Sequence, residues 1–400
     1  MQRSTDHQFT DAEGARESVV VDGHEWTLYE ESEPLIAAMI DDIKSAQSRV
    51  WMESYIFADD RAGRGVAEAL AERAAAGVDV RLMVDAWGSF RTSSALFQQM
   101  RQVGVQMHWF HAFSEAFFGA KFFDMLNERN HRKLLAIDDR VAYFGGMNVV
   151  DSGGIHSKAD AKIRHLPASA GWRDVHVRMT GPRAVEIADM CDRLWRRAIH
   201  QPRDKEPRWS MQQVLDSADG SFFFFGSRPT FRYHRPHRIL GPLLRGASRE
   251  VTVAVAYFLP LGAVLQELIA ARRRGVRVRV IVPGQSDVKP VQWATRHFYE
   301  YLLKRGIEVY ERKDRMLHSK AIVIDDRWSV IGSCNLDARS LRLNLEFFAV
   351  VHSPTMAAEL LTICRREIDA SVRVTPAYLR HRSWWQRNLD RAAWALRRWL

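Results

Sequence analysis

The sequence predicts an α/β protein made of two similar domains, each a mixed, largely parallel sheet flanked by helices, related by a pseudo-two-fold axis. Two observations carry this. Residues 74–84 (AAAGVDVRLMV) are echoed by 272–282 (RRRGVRVRVIV), with Gly77 and Gly275 at matching positions, and the runs ahead of them, 48–57 and 248–258, correspond within one residue. The phrase HRKLLAID at 131–138 also recurs as HSKAIVID at 318–325, and each copy is trailed by a small turn ending in asparagine: GGMN to Asn148 and GSCN to Asn335. Lys133 stands 15 residues before Asn148, and Lys320 stands 15 before Asn335.

Taken in order, residues 1–20 read as a mobile arm. A helix on Leu35, Met39 and Ile43 opens the first domain (21–200). Residues 50–57 alternate as a strand. A helix over about 65–76 stops at Gly77, as a C-cap should, and 78–84 is again a strand. Strand, helix and strand joined by a short turn make a βαβ unit with parallel pairing. Gly77 lies 54 residues before His131 and Gly275 lies 43 before His318, so the first half carries about eleven extra residues, placed in the aromatic stretch from Phe113 to Phe123. A helix over 183–199, with Ile187, Cys191, Leu194 and Trp195 on one face, closes the domain. Residues 201–220, proline-bearing and charged, read as a linker. Phe222, Phe223, Phe224 and Phe225 then read as a buried strand at the domain junction. The second domain (221–375) ends in a helix around 356–368, and a basic tail (376–400) follows.

Four hundred residues, 46% of them hydrophobic, suit two globular domains. Lys and Arg number 58 against 48 Asp and Glu, a net +10 that favours polyanionic partners: phosphorylated substrates, anionic membrane or nucleic acid. The three cysteines, Cys191, Cys334 and Cys364, show neither a pairing pattern nor metal spacing, which suits a reducing interior. The polar first residues do not resemble a signal peptide, and no stretch approaches the ~18 apolar residues of a membrane span. A soluble or peripheral protein is expected.

In each phrase the histidine and lysine sit two apart on an alternating run, so an imidazole and an ammonium project side by side from a strand. The asparagine turn brings an amide to the same point. Two such half-sites face to face place two histidines, two lysines and two asparagines around one anion. One neutral imidazole can attack phosphorus and form a phospho-histidine, while the other protonates the departing alkoxide and later deprotonates the incoming hydroxyl. Lys133, Lys320, Asn148 and Asn335 would stabilise the non-bridging oxygens, at roughly 3–4 kcal/mol per well-placed donor. The lysines supply the positive charge, so no metal and no cofactor is expected. Asp174 (WRDVHV) and Glu346 (NLEFFAV), on strands downstream of the respective half-sites, are expected to orient His131 and His318. Asp138 and Asp325 end their phrases several residues from the histidines and read as bracing the turn.

These residues resemble the paired H-x-K-x4-D motifs of the phospholipase D superfamily, whose catalytic set then comprises His131, Lys133, Asp138, His318, Lys320 and Asp325. GSCNLDARSLRLNLE at 332–346, GGMNVVD and WRDVHVRMTGP are most similar to bacterial cardiolipin synthases. The resemblance runs from about residue 24 onward. It implies phosphatidyl transfer onto phosphatidylglycerol through phospho-histidine, orienting roles for Asp174 and Glu346, and, by analogy, His131 as first nucleophile. The usual synthase carries two N-terminal spans without counterpart here, which points to the shorter branch, held peripherally at the cytoplasmic side of the cell membrane. Rivals are a lipid hydrolase, with water as acceptor, and a phosphodiesterase acting on nucleic acid. The latter suits the charge, but aromatic stretches outnumber any evident basic groove, so anionic phospholipid rather than nucleic acid is the expected partner.

In the tail, Trp385, Leu389, Ala392, Leu396 and Trp399 fall on one helical stripe amid arginines, fit either for an anionic bilayer surface or for packing on the protein. Phe113, Phe117, Phe118, Phe122 and Phe123 read as an acyl-chain entrance or as core. His234 and His237 read as loop histidines, and Tyr55 and Tyr257, ending equivalent strands, as cleft residues.

Overall fold

The computed structural model describes residues 18–111, 128–151, 171–199, 210–227, 236–260 and 262–396. The first sheet draws on β1 (Val19–Val21), β2 (His24–Tyr29), β3 (Arg49–Ser54), β4 (Asp79–Asp85), β5 (Gln106–Phe110), β6 (Leu134–Ile137) and β7 (Val141–Gly145). After the short β8 (Trp172–Arg173), β9 (His176–Thr180) completes it in the order β1-β2-β9-β7-β6-β3-β4-β5. The second sheet uses β10 (Ser221–Ser227), β11 (Glu250–Val255), β12 (Arg277–Pro283) and β13 (Glu308–Arg312). Beyond the short β14 (Met316–Leu317) come β15 (Lys320–Ile324), β16 (Trp328–Gly332), β17 (Glu346–His352) and β18 (Ser371–Arg373), in the order β10-β17-β16-β15-β11-β12-β13-β18. Seven consecutive strands match one for one, from β2 and β10 to β5 and β13, so the repeat is one of whole sheets.

Both sheets are mixed. Parallel pairing is confined to β3-β4-β5 and β11-β12-β13, whose connections run through helices. The remaining neighbours are antiparallel, because the repeated phrase feeds a tight hairpin: Asp138 and Asp139 (φ 48° and 56°) turn β6 into β7, and Asp325 and Asp326 (φ 55° and 52°) turn β15 into β16. Two successive left-handed residues match the twist of a hairpin, and aspartate tolerates that conformation better than most side chains.

Alternation along these strands sorts the core. Leu135 and Ile137 face an outer cluster with the helices Ser32–Ser45 and Arg61–Ala75, and Ile322 and Ile324 face its counterpart under Pro236–Gly246 and Ala263–Arg273. Leu134, Ala136, Ala321 and Val323 face inward, into one apolar cluster shared by both sheets and by the helices Val185–Ala198 and Pro354–Asp369. Phe222 and Phe224 of β10 reach across into that cluster, against Trp26 and Phe144 of the first sheet, while Phe223 and Phe225 stay in the second half's own core.

Two stretches are more ordered than their polarity suggests. Val19 and Val20, assigned to the arm, pair with β2 across the Asp22-Gly23 turn. In the stretch taken as linker, Ser210 and Gln213 form a capping box that starts the helix Met211–Leu215. The aromatic residues 113–123, the linker's first half, His234 and Trp399 lie outside the described residues, and His237 sits in a helix rather than a loop.

Candidate active site at the junction of the two halves

His131, Lys133 and His318 stand on extended segments just ahead of β6 and β15, and Lys320 is the first residue of β15. The expected strand positions are corrected here, because these lead-ins are held by the opposite half. The His131 backbone N–H donates to the Leu345 carbonyl at 2.9 Å, and the His318 N–H donates to the Arg173 carbonyl at 2.7 Å. β8 pairs in parallel with β14, and Asn130 bridges Leu345 in the matching place. Each histidine is thus fixed by the chain that leads into the other half's acid.

The acids follow the same exchange. Glu346 Oε2 lies 3.0 Å from His131 Nδ1, and Asp174 Oδ2 lies 2.6 Å from His318 Nδ1. Both acids meet histidines, but each meets the one across the junction rather than that of its own half. Asp174 occupies the break between β8 and β9, not a strand. Burial pushes both carboxyls up, yet the opposing charges win: Lys320 and His318 hold Asp174, and His131 and Lys133 hold Glu346, below the usual carboxylate range. An ionised carboxylate only accepts, so each Nδ1 carries the proton it donates and each Nε2 is left with its lone pair.

The small-residue turns make room for the acids. A Cβ at Gly146 would meet Asp174 Oδ1 at 2.1 Å. Its counterpart, Ser333, instead donates from Oγ to Glu346 Oε2 at 2.5 Å. The half-sites are therefore alike in plan and unlike in polarity.

His131, His318, Asn148 and Asn335 line one cavity of ≈ 500 Å³, together with Tyr55, Tyr257, Trp172 and Arg129. Asn148 Oδ1 accepts from the Ile56 N–H at 3.2 Å, and Asn335 Oδ1 is buried without a hydrogen-bond partner. Lys133 Nζ donates to the His131 carbonyl at 2.6 Å, and Lys320 Nζ lies 2.7 Å from His318 Nδ1 and 3.8 Å from Asp174. Burial lowers all four cations-to-be: His131 to about 4 against the pull of Glu346, Lys133 to about 7, and His318 and Lys320 in the same direction. A bound phosphate would reverse this, since an anion favours each protonated form.

Asp138 and Asp325 lie elsewhere. Asp138 accepts from the backbone N–H groups of Gln47 and Ser48 (both 2.7 Å) and of Arg49 (3.0 Å), and Asp325 does the same for Ser248, Arg249 and Glu250. Each clamps the entry to the central parallel strand as well as turning its own hairpin, and neither lines the cavity. Tyr55 and Tyr257 do line it, Tyr55 with its ring 5.0 Å from that of His131. Sequence reasoning missed Ser333, Trp172 (4.6 Å ring to ring from His318), Arg129 and Arg339. Arg129 and Trp172 each stand two residues before a catalytic-looking residue, but nothing in the other half echoes them.

The chain is similar in sequence and fold to known proteins. Residues 39–161 and 240–367 fit the model described as "Cardiolipin synthase, PLD-like domain". Cardiolipin synthase A of Serratia proteamaculans is 30% identical, over 93% of this chain and 74% of its own. Cardiolipin synthase 1 of Staphylococcus epidermidis is 28% identical, over 90% and 71%. Among solved structures, phosphatidylserine synthase of Haemophilus influenzae superposes with a TM-score of 0.68 at 12% identity, over 97% of this chain and 98% of that one, a likeness of fold. With the family model matched in both halves and relatives aligned across most of its length, the chain belongs to the PLD-like cardiolipin synthases.

Proposed function

We propose that the protein is a phosphatidyltransferase that joins a phosphatidyl group to phosphatidylglycerol, giving cardiolipin through a phospho-histidine. The observation that carries this is the pair of histidines lining one cavity, each with Nδ1 against the carboxylate of the opposite half and so with a lone pair on Nε2, that of His318 lying 3.1 Å from Lys320 Nζ. His131 is assigned as nucleophile. Its Nε2 attacks the donor phosphorus, the bond from phosphorus to the headgroup oxygen breaks, and His318, protonated once the phosphate is bound, gives its proton to the departing alcohol. The acceptor hydroxyl then loses its proton to His318 and attacks phosphorus, breaking the bond to His131. Lys133, Lys320, Asn148 and Asn335 hold the non-bridging oxygens throughout. With phosphatidylglycerol as donor, the leaving alcohol is glycerol.

Phospholipid substrates require a bilayer within reach. Among the described residues no helix is long and apolar enough to cross a membrane. Trp87, which lines the cavity, and Phe90 nearby are exposed, as are Trp385 and Leu389 of the last described helix, Trp384–Ala395. We assign these to peripheral contact with an anionic, cytoplasmic membrane face.

Purified protein incubated with vesicles of labelled phosphatidylglycerol should yield cardiolipin and free glycerol, and His131→Ala and His318→Ala should each abolish both products. Phosphatidic acid as sole product would make the protein a hydrolase. Inertness toward lipid together with cleavage of DNA would sink both.

A further inference from the structure

In an in-line displacement at phosphorus the alcohol oxygen lies opposite the attacking atom. With His131 as nucleophile, the headgroup therefore occupies the His318 end of the cavity. Tyr257 and Asp287 line the cavity from the half that carries His318, at the carboxyl ends of neighbouring parallel strands: Tyr257 stands two residues past β11 and Asp287 four past β12. The Tyr257 hydroxyl donates to both oxygens of Asp287, at 2.7 and 2.9 Å, and Ser286 Oγ lies 3.3 Å from one of them. Burial, and then Asp287 itself, hold the Tyr257 phenol well above its ordinary range, so the hydroxyl keeps its proton and stays a donor. A carboxylate offers about four acceptor positions. Asp287 is exposed and borders the cavity, which leaves it lone pairs for donors that enter.

We infer that Asp287, held by Tyr257, accepts from the headgroup hydroxyl next to the reacting oxygen and so selects a vicinal diol; this rests on the function proposed above. In donor phosphatidylglycerol the glycerol on phosphorus keeps a secondary hydroxyl beside the oxygen that leaves. In the acceptor the same hydroxyl stands beside the one that attacks. The attacking oxygen bonds to phosphorus as the bond to His131 breaks, its proton passes to His318, and the secondary hydroxyl stays on Asp287. The charges place the carboxylate at this end. Burial and then Lys320 lower His318, while Asp174 and, more weakly, Asp287 draw it back up; Lys320, also lowered by burial, is drawn back by Asp174, Glu346 and Asp287. An ammonium headgroup is disfavoured here, because His318 has to be protonated to release the alcohol and Lys320 Nζ lies 3.1 Å from its Nε2. The other half lacks the tyrosine. The carbonyls of Ile56 and Tyr257 accept from the Val149 and Leu336 N–H groups, both at 3.1 Å, so the two residues are equivalent and an isoleucine stands where the second half has the phenol. The repeat breaks where the alcohol is handled.

Two alcohols that differ by one hydroxyl isolate this role. With vesicles of acyl-labelled phosphatidylglycerol, wild-type protein should transfer the phosphatidyl group to propane-1,2-diol roughly tenfold or more faster than to propan-1-ol at equal concentration. Asp287→Asn should bring the two rates within about threefold of each other, chiefly by slowing transfer to the diol. Phosphatidylpropanol made by the variant shows that it is folded and completes both steps. Wild-type protein that makes cardiolipin without preferring the diol overturns the diol site and leaves the proposed function standing. An unchanged preference in the variant, an equal fall with both alcohols, or a wild-type preference for ethanolamine over the diol overturns the site as well. Wild-type protein that makes no cardiolipin sinks the proposed function itself, and the diol site falls with it.

Discussion

At the scale of single residues, His131 can serve as the proposed nucleophile only while its Nε2 is unprotonated, and its burial favours that form before substrate arrives. The imidazole is lowered from an ordinary 6.5 to about 4, first by burial and then by Lys133, with Glu346 pulling the other way. The unfolded chain takes up this proton near 6.5 and the folded chain near 4, so between those values the unfolded state holds more protons. The stability that neutral His131 contributes is present above about 6.5 and is lost as pH falls through about 4. Asp337, raised from 3.8 to about 7, titrates with the opposite sign across that whole window, so the comparison has to be differential. Between pH 7 and pH 4, the unfolding free energy of the unliganded wild type should fall by on the order of 2–3 kcal/mol more than that of His131→Gln, measured by denaturant titration. Equal slopes would mean that His131 titrates normally in the fold. Asp138 and Asp325 act at this scale too, but as clamps on backbone N–H groups, so their replacement should lower stability before it alters the chemistry.

At the scale of elements, the unit that matters is the lead-in strand together with the acid it faces. The partners His318 and Asp174 are 144 residues apart in sequence, and His131 and Glu346 are 215 apart, each pair crossing the junction. Gly146 sets the fit on one side, because its missing side chain is the space that Asp174 fills. Gly146→Ala should push the carboxylate off His318 and lower turnover about 100-fold, the usual effect of a misplacement near 1 Å, while circular dichroism reports an intact fold. Retention of more than a third of wild-type turnover would show that the acid can yield without consequence. The histidines, lysines and asparagines were legible because they recur at matched spacing, and so were the βαβ units, through their periodicity and the glycines at 77 and 275. The crossing of the acids was not legible: a repeat fixes what each half contains, not which half packs against which histidine. The extent of antiparallel pairing was hidden for a related reason, since the Asp-Asp turns show their hairpin geometry only through a backbone conformation that the residue types permit but do not demand.

At the scale of the whole molecule, the halves are joined by the shared apolar cluster and by Arg173, whose guanidinium binds Glu30 at 2.5 Å and Glu31 at 2.8 Å from the first half and Glu367 at 3.2 Å from the second. The same junction that completes the site thus orients the molecule as one body, and the last described helix gives that body an outward apolar face. Trp384–Ala395 packs inward through Ala393, through Trp394 stacked on Phe298 at 5.0 Å, and through the buried Asp390, paired with the half-buried Arg382. The stripe read from the sequence, Trp385, Leu389, Ala392 and Leu396, points the other way, with Trp385 65% and Leu389 48% exposed. Arg380, Arg387 and Arg391 are exposed around it. Packing and an outward stripe therefore coexist on one helix, because different faces serve them. Tryptophan and leucine flanked by arginine suit the boundary of an anionic bilayer, where each arginine near the surface adds about 1 kcal/mol. Wild-type protein should sediment with phosphatidylglycerol vesicles, far less with phosphatidylcholine vesicles, and less as salt is raised. Leu389→Glu with Trp385→Glu should weaken binding to the anionic vesicles about tenfold or more while leaving turnover of detergent-dispersed lipid within about threefold. Undiminished vesicle binding by that double variant would remove the helix from the membrane face, and loss of turnover in detergent would mean that its outward stripe serves the fold instead.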